Sequence, residues 1–163
     1  MNGSEALPLA KLKSLCGKRL RTVARVLFEH GGRIDPGDGP LELYFDDGTV
    51  ILFEGSADGE GLRVQCAPWL DPFEPPISDE NRAYIEQSGK WSRVEQSNDP
   101  MFVGMVGELI SSVTILENQF GGQAGVQISI GGQDLWFVVA GDECHVHRTQ
   151  PIGFIKSANC TRQ

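Results

Sequence analysis

The sequence predicts a mainly β (α+β) fold: two tandem antiparallel β-meander units with approximate two-fold symmetry, six to eight strands, and short helices before each unit and in the linker between them. One observation behind this is an internal repeat. Gly17, Leu20 and Val23 recur as Gly107, Ile110 and Val113, while Leu43, Phe45, Val50 and Leu52 recur as Ile128, Ile130, Leu135 and Phe137. A repeat unit with one apolar face finds its cover in its twin. The other observation is hairpin chemistry. Asp46-Asp47-Gly48-Thr49 separates Leu41-Glu42-Leu43-Tyr44-Phe45 from Val50-Ile51-Leu52-Phe53, and Gly131-Gly132-Gln133-Asp134 separates a second such pair of runs. Asp-Gly and Gly-Gly supply the positive φ that a tight turn needs.

The elements follow in order. The first β unit spans residues 9–67, a proline-rich linker with a short helix spans 68–100, the second β unit spans 101–150, and a tail spans 151–163. Leu20, Val23, Ala24 and Leu27 fit helical spacing, with Gly31-Gly32 as a cap. The β-branched run Val113-Thr114-Ile115 in the second copy, and the glycine preceding each apolar set, instead favour a short helix (residues 7–15 and 101–106) followed by a strand. Each hairpin is followed by a turn and a third strand, at 62–66 and 144–148. Four prolines between Pro68 and Pro76 exclude a helix or central strand there. The tract is expected to run extended over the surface, anchored by Trp69, Leu70 and Phe73. Ser78 and Gly89 bracket a short helix by their capping chemistry.

The central strands are apolar on both alternating faces, which a half-solvated antiparallel strand would not be. If Val50, Leu52, Leu135 and Phe137 face the shared core, then Ile51, Phe53, Trp136 and Val138 face outward. These four are the candidate partner-binding residues. The linker is expected to cover part of that outer surface, leaving the patch near Trp136 for a partner protein or for self-association as a homodimer.

Charge narrows the partner. Fourteen Lys and Arg against 22 Asp and Glu give a net charge of -8, which opposes a grip on nucleic-acid phosphates and suits a basic protein. No apolar run approaches a membrane span, and the first residues lack the pattern of a secretory signal. Cys16, Cys66, Cys144 and Cys160 are dispersed, as expected of reduced thiols in the cytoplasm.

Signals of chemistry are sparse. His145 and His147 share one face of a strand, but the repeat turns that face outward and two imidazoles fall short of the four ligands of a closed zinc site, so no metal is expected. Asp46-Asp47, Asp35-Pro36-Gly37-Asp38-Gly39 and Asp58-Gly59-Glu60-Gly61 read as turns. Gly121-Gly122-Gln123-Ala124-Gly125 lacks the Lys-Ser/Thr of a phosphate-binding loop, and there is no Gly-x-Ser-x-Gly nucleophile elbow. No cofactor is expected, and the reading weighs against an enzyme. The competing reading is a small-molecule binder or enzyme with a pocket between the two units, lined by Tyr44, Trp91 and Trp136.

The pattern Gly-x-x-Leu-x-x-Val at residues 17–23, followed by the Asp-Gly-Thr hairpin at 41–53, resembles small β-rich domains of bacterial proteins, some similar to immunity proteins of interbacterial toxin systems. The second copy has Gly132-Gln133-Asp134 in place of Asp-Gly-Thr. The resemblance implies a cytoplasmic, non-catalytic, acidic binding protein, and it transfers no individual functional residue; the leading expectation is a non-enzymatic protein-binding module of the immunity type, neutralising a toxin by acidic surface complementarity.

Overall fold

The computed structural model describes residues 9–157, which form two helices and eleven strands. In chain order these are α1 (Leu9–Lys13), β1 (Leu20–His30), β2 (Arg33–Ile34), β3 (Leu41–Phe45), β4 (Val50–Gly55), β5 (Leu62–Gln65), α2 (Asp79–Ser88), β6 (Lys90–Glu95), β7 (Ile110–Glu117), β8 (Gln123–Ile130), β9 (Gln133–Ala140), β10 (Glu143–His147) and β11 (Ile155–Lys156). The first sheet has the order β2-β1-β3-β4-β5, with β6 also on β1; the second has the order β10-β9-β8-β7-β11. Every pairing is antiparallel. β6 lies on the side of β1 opposite β3, because Ala24 faces Glu42 on one edge and Glu95 on the other.

The sheets bury their inner faces against each other in one core. Val23, Leu43, Phe45, Ile51 and Phe53 come from the first sheet; Ile110, Val126, Ile128, Leu135 and Phe137 come from the second. Phe53 and Phe137 meet at the centre with ring centroids 5.9 Å apart. Leu12 and Leu15, in and just after α1, seal one side.

Where the sheets join, backbone bonds run in both directions. The Gly17 N–H donates to the Ile110 carbonyl (2.8 Å) and the Gly107 N–H to the Leu20 carbonyl (2.7 Å). Leu20 donates to Glu108 and Ile110 to Lys18, both at 2.9 Å. Gly17 and Gly107 have φ of 86° and 87°, a conformation that other residues adopt only at a cost. Each first strand also shifts register after its first residue, between Leu20 and Thr22 and between Ile110 and Ser112.

The structure corrects the expected outer face. Leu43 pairs with Ile51, while Ile128 pairs with Leu135, so Ile51 rather than Val50 is the counterpart of Leu135. The cause is loop length: four residues, Asp46 to Thr49, separate β3 from β4, whereas only Gly131 and Gly132 separate β8 from β9. A slip of one residue moves every side chain to the opposite face. Ile51 and Phe53 are therefore fully buried in the shared core, and Leu52 is on the outer side.

Trp136 and Val138 do face away from that core, but they are covered. With Leu116, Ala124 and Phe154 they form a second apolar cluster, closed by the segment after β10 rather than by the proline tract. Phe154→Ala is expected to lower the unfolding free energy by about 3 kcal/mol, as for other buried aromatic truncations. An unchanged urea midpoint would show that Phe154 contributes nothing to covering Trp136.

Other expectations shift as well. Residues 101–106 form turns rather than a short helix. A Cβ on Gly104 would lie 2.7 Å from the Gln133 amide, whose Nε2 donates to the Gly104 carbonyl, so this segment is shaped by its contact with β9. The first helix is confined to Leu9–Lys13 among the described residues, and the predicted residues 7 and 8 lie outside them, as does Cys160. α2 forms where expected, with Ser78 Oγ accepting from the Asn81 N–H and Gly89 at the C-cap.

Candidate functional site

The outer face of the first sheet carries the candidate site. Leu41, Leu43 and Phe45 turn into the core, so alternation turns Glu42 and Tyr44 outward. Register places Ala24, Val26 and Phe28 on the same face, opposite Glu95, Arg93 and Trp91. The proline tract and α2 lie over this surface.

A charged network pins the tract there. The Glu42 carboxylate has no solvent exposure and accepts four hydrogen bonds. Arg93 donates through Nε (2.7 Å) and Nη2 (3.0 Å). The Tyr44 hydroxyl and the Trp69 backbone N–H donate at 2.6 Å each. Arg93 also donates to the Trp69 carbonyl, and its guanidinium lies 6.0 Å from the centre of the Trp69 ring. Burial pushes the Glu42 carboxyl upward, but the bonds from Arg93, Tyr44 and Trp69 and the charge of Arg93 outweigh it and leave the group below its ordinary range. Tyr44 is pushed up to about 12 by burial and by its bond to Glu42. The Glu42 bonds raise Arg93 further, so the pair stays ionised.

Beyond this latch the surface opens into two hollows that share Trp69 and Trp91 as walls. The larger, about 450 Å³, is apolar and aromatic, bounded by Phe28, Leu70, Pro72, Phe73 and Tyr84. Phe73 stacks on Tyr84 at 5.9 Å, tying the tract to α2, and Trp91 meets Phe28 edge-on at 5.6 Å. Lys90 and Asp71 form an ion pair (3.1 Å) beside it. Leu70 is 78% exposed and Trp91 is 41% exposed. The two side chains leave apolar surface wet that folding would otherwise bury.

The smaller hollow, about 280 Å³, lies where the two sheets meet and adds Asp38, Glu54, Asp142 and Cys144 to the two indoles. Its walls are held by hydrogen bonds between segments of the two sheets: the Asp38 carboxylate accepts from the Cys144 N–H (2.7 Å), the Gly39 N–H donates to the Cys144 carbonyl (3.1 Å), and the Asp142 N–H donates to the Gly59 carbonyl (3.0 Å). Arg25, buried on the inner face, braces the same corner by donating to the carbonyls of Gly39 (2.8 Å) and Cys144 (3.3 Å). Burial lowers its basicity, countered in part by Cys144 and Asp38. The Cys144 thiol is pushed up to about 11 by burial and by Asp38, so at neutral pH it is protonated and unsuited to nucleophilic attack.

The sequence-predicted residues fall elsewhere. Ile51 and Phe53 are fully buried, and Trp136 and Val138 are 5% and 2% exposed, so none of the four presents a docking surface in the folded chain. Of the residues proposed to line a pocket between the units, Trp91 does so; Tyr44 lies beneath the Glu42 latch and Trp136 belongs to the other sheet. His145 and His147 are 6.3 Å apart by ring centroids, with His145 Nε2 2.9 Å from Glu143. His147 is held below its ordinary value by burial and by His145. Among the described residues no three His, Cys, Asp or Glu side chains are grouped to hold a metal ion. No described helix is long and apolar enough to cross a membrane. The sequence placed Asp38 in a turn and gave Glu54 and Asp142 no functional role, because each looks like an ordinary turn or strand-end acid until the fold lines one hollow with all three. Compared with protein-family models, with curated proteins and with solved structures, the chain matches none.

Proposed function

We propose that this chain is a non-enzymatic module that binds a basic partner protein through the Trp69–Trp91 groove. The observation that carries the reading is an aromatic groove, open to solvent and ending at three carboxylates, on a protein of net charge -8. Apolar anchors with an acidic margin suit a partner that presents basic residues around an apolar contact, because charge complementarity speeds encounter and selects the partner. The resemblance to toxin-immunity proteins supplies a partner class, a basic bacterial toxin, and a setting, the cytoplasm. Cys16, Cys66 and Cys144 as free thiols agree with a reducing compartment. We also read the two sheets as tandem copies of one unit with approximate two-fold symmetry; the reciprocal bonds of Gly17 and Gly107 and the matching register shifts support this.

Capture from the native lysate with the wild-type chain, Leu70→Asp/Trp91→Ala and a distant control, Phe120→Asp, tests the assignment. The expected result is a stoichiometric basic partner retained by wild type and control and reduced at least about tenfold by the groove variant. Equal capture by the groove variant, shown folded by circular dichroism, would reject the groove as the binding site.

A further inference from the structure

We infer that the smaller hollow is a socket for one arginine side chain of the partner, and that the larger hollow takes an apolar residue beside that arginine in the same segment. This deepens the binding-module reading and rests on it. Three acidic residues alone would mark a solvated rim; here they line an open hollow of about 280 Å³ walled by Trp69 and Trp91. Indole faces attract cations, and the attraction grows when water is excluded. A guanidinium fits such walls better than an ammonium because it is planar, stacks on aromatic rings and forks onto carboxylates. Arg93 already places a guanidinium 6.0 Å from the Trp69 ring, and its own charge is met by Glu42.

The balance of charge also favours a cation. Asp38, Glu54 and Asp142 line the hollow. Of the nearby cations, Arg63 lies 3.5 Å from Glu54, and Arg25, bonded to backbone carbonyls, is close enough for its charge to be felt by Asp38, so three acids face two cations and Asp142 has none set against it among the described residues. The adjoining hollow, with Phe28, Leu70 and Tyr84, has no comparable excess of acid and offers apolar surface. The two hollows meet at the tryptophans, so one short stretch of chain reaches both.

The probe is the dipeptide N-acetyl-Phe-Arg-amide, with N-acetyl-Phe-citrulline-amide as its uncharged isostere, titrated into ¹⁵N-labelled protein while the three indole N–H resonances are followed. The expected result is a saturable shift of the Trp69 and Trp91 resonances, none of Trp136, and at least about tenfold weaker binding of the citrulline peptide. Asp142→Asn and Glu54→Gln, made separately so that one folding defect does not decide the outcome, should each weaken the arginine peptide by about threefold or more while leaving the citrulline peptide unchanged. Equal affinity for the two peptides, or shifts confined to Trp136, would overturn the arginine socket. If that happens while capture of a basic partner still depends on Leu70 and Trp91, the binding module stands and only the socket falls. If the arginine peptide binds selectively but no partner capture depends on the groove, the protein-binding reading falls instead.

Discussion

Replacing Glu42 with alanine is expected to remove about 3 kcal/mol of folding stability, the lower end of the range for breaking a buried ion pair. The figure is at the lower end because Arg93 keeps 38% exposure and can turn to water. The part-buried Trp69 N–H and Tyr44 hydroxyl also lose their acceptor. The tract would then lose its hold on the sheet, which limited proteolysis near residues 68–76 would report as faster cleavage. Dependence on pH separates the charge from the packing. The folded-state pKa of Glu42 lies below its ordinary value of 4.5, so its contribution is complete above that value and is lost as pH falls through the folded one. The gap between wild type and Glu42→Gln should therefore be widest near neutrality and close as pH falls below the ordinary value of 4.5 and through the lower folded one. A gap that stays constant over this range would mean that the ion pair contributes nothing and that Glu42 matters only for shape.

Gly39→Ala should be at least as damaging, with a loss of about 4 kcal/mol, in the range reached when a substitution strains packed backbone. A Cβ at Gly39 would lie 1.8 Å from the Val26 carbonyl oxygen, and a backbone atom inside a sheet cannot move aside cheaply. Relieving the clash pulls the loop from β1 and breaks the bonds from Arg25 and to Cys144 that hold the two units together at this corner. Gly132→Ala is the comparison. That glycine has φ of 78° but open space around its missing side chain, so only the conformational cost of about 1 kcal/mol applies. Urea unfolding of both variants gives the ranking; equal midpoints would show that the Val26 contact is not tight.

The strands and the linker helix were legible because local chemistry specifies them: Asp-Gly and Gly-Gly turns, alternating apolar runs, Ser78 and Gly89 as caps. The facing of one strand was not, since the two hairpins differ by residues that carry no apolar signal, and register is a property of the paired strands. β6 was missed because Lys-Trp-Ser-Arg-Val-Glu shows no apolar stripe; it is held by pairing to β1 and by Arg93 reaching Glu42. Glu42 itself sits at a strand position where a buried charge is tolerable only with the donors that the fold supplies, Arg93, Tyr44 and the Trp69 N–H. The site was illegible for a related reason: Asp38, Glu54 and Asp142 are spread over more than a hundred residues and converge only when the sheets stack.

The shared core also sets a timetable for the newborn chain. The inner face of the first sheet, with Val23, Leu43, Phe45, Ile51 and Phe53, finds most of its cover in β7 to β9. Synthesis from residue 56 to residue 140 takes roughly 4 to 17 s at typical rates of about 5–20 residues per second. Throughout that interval the inner face of the first sheet lacks its main cover, which places the aggregation risk before release rather than after it.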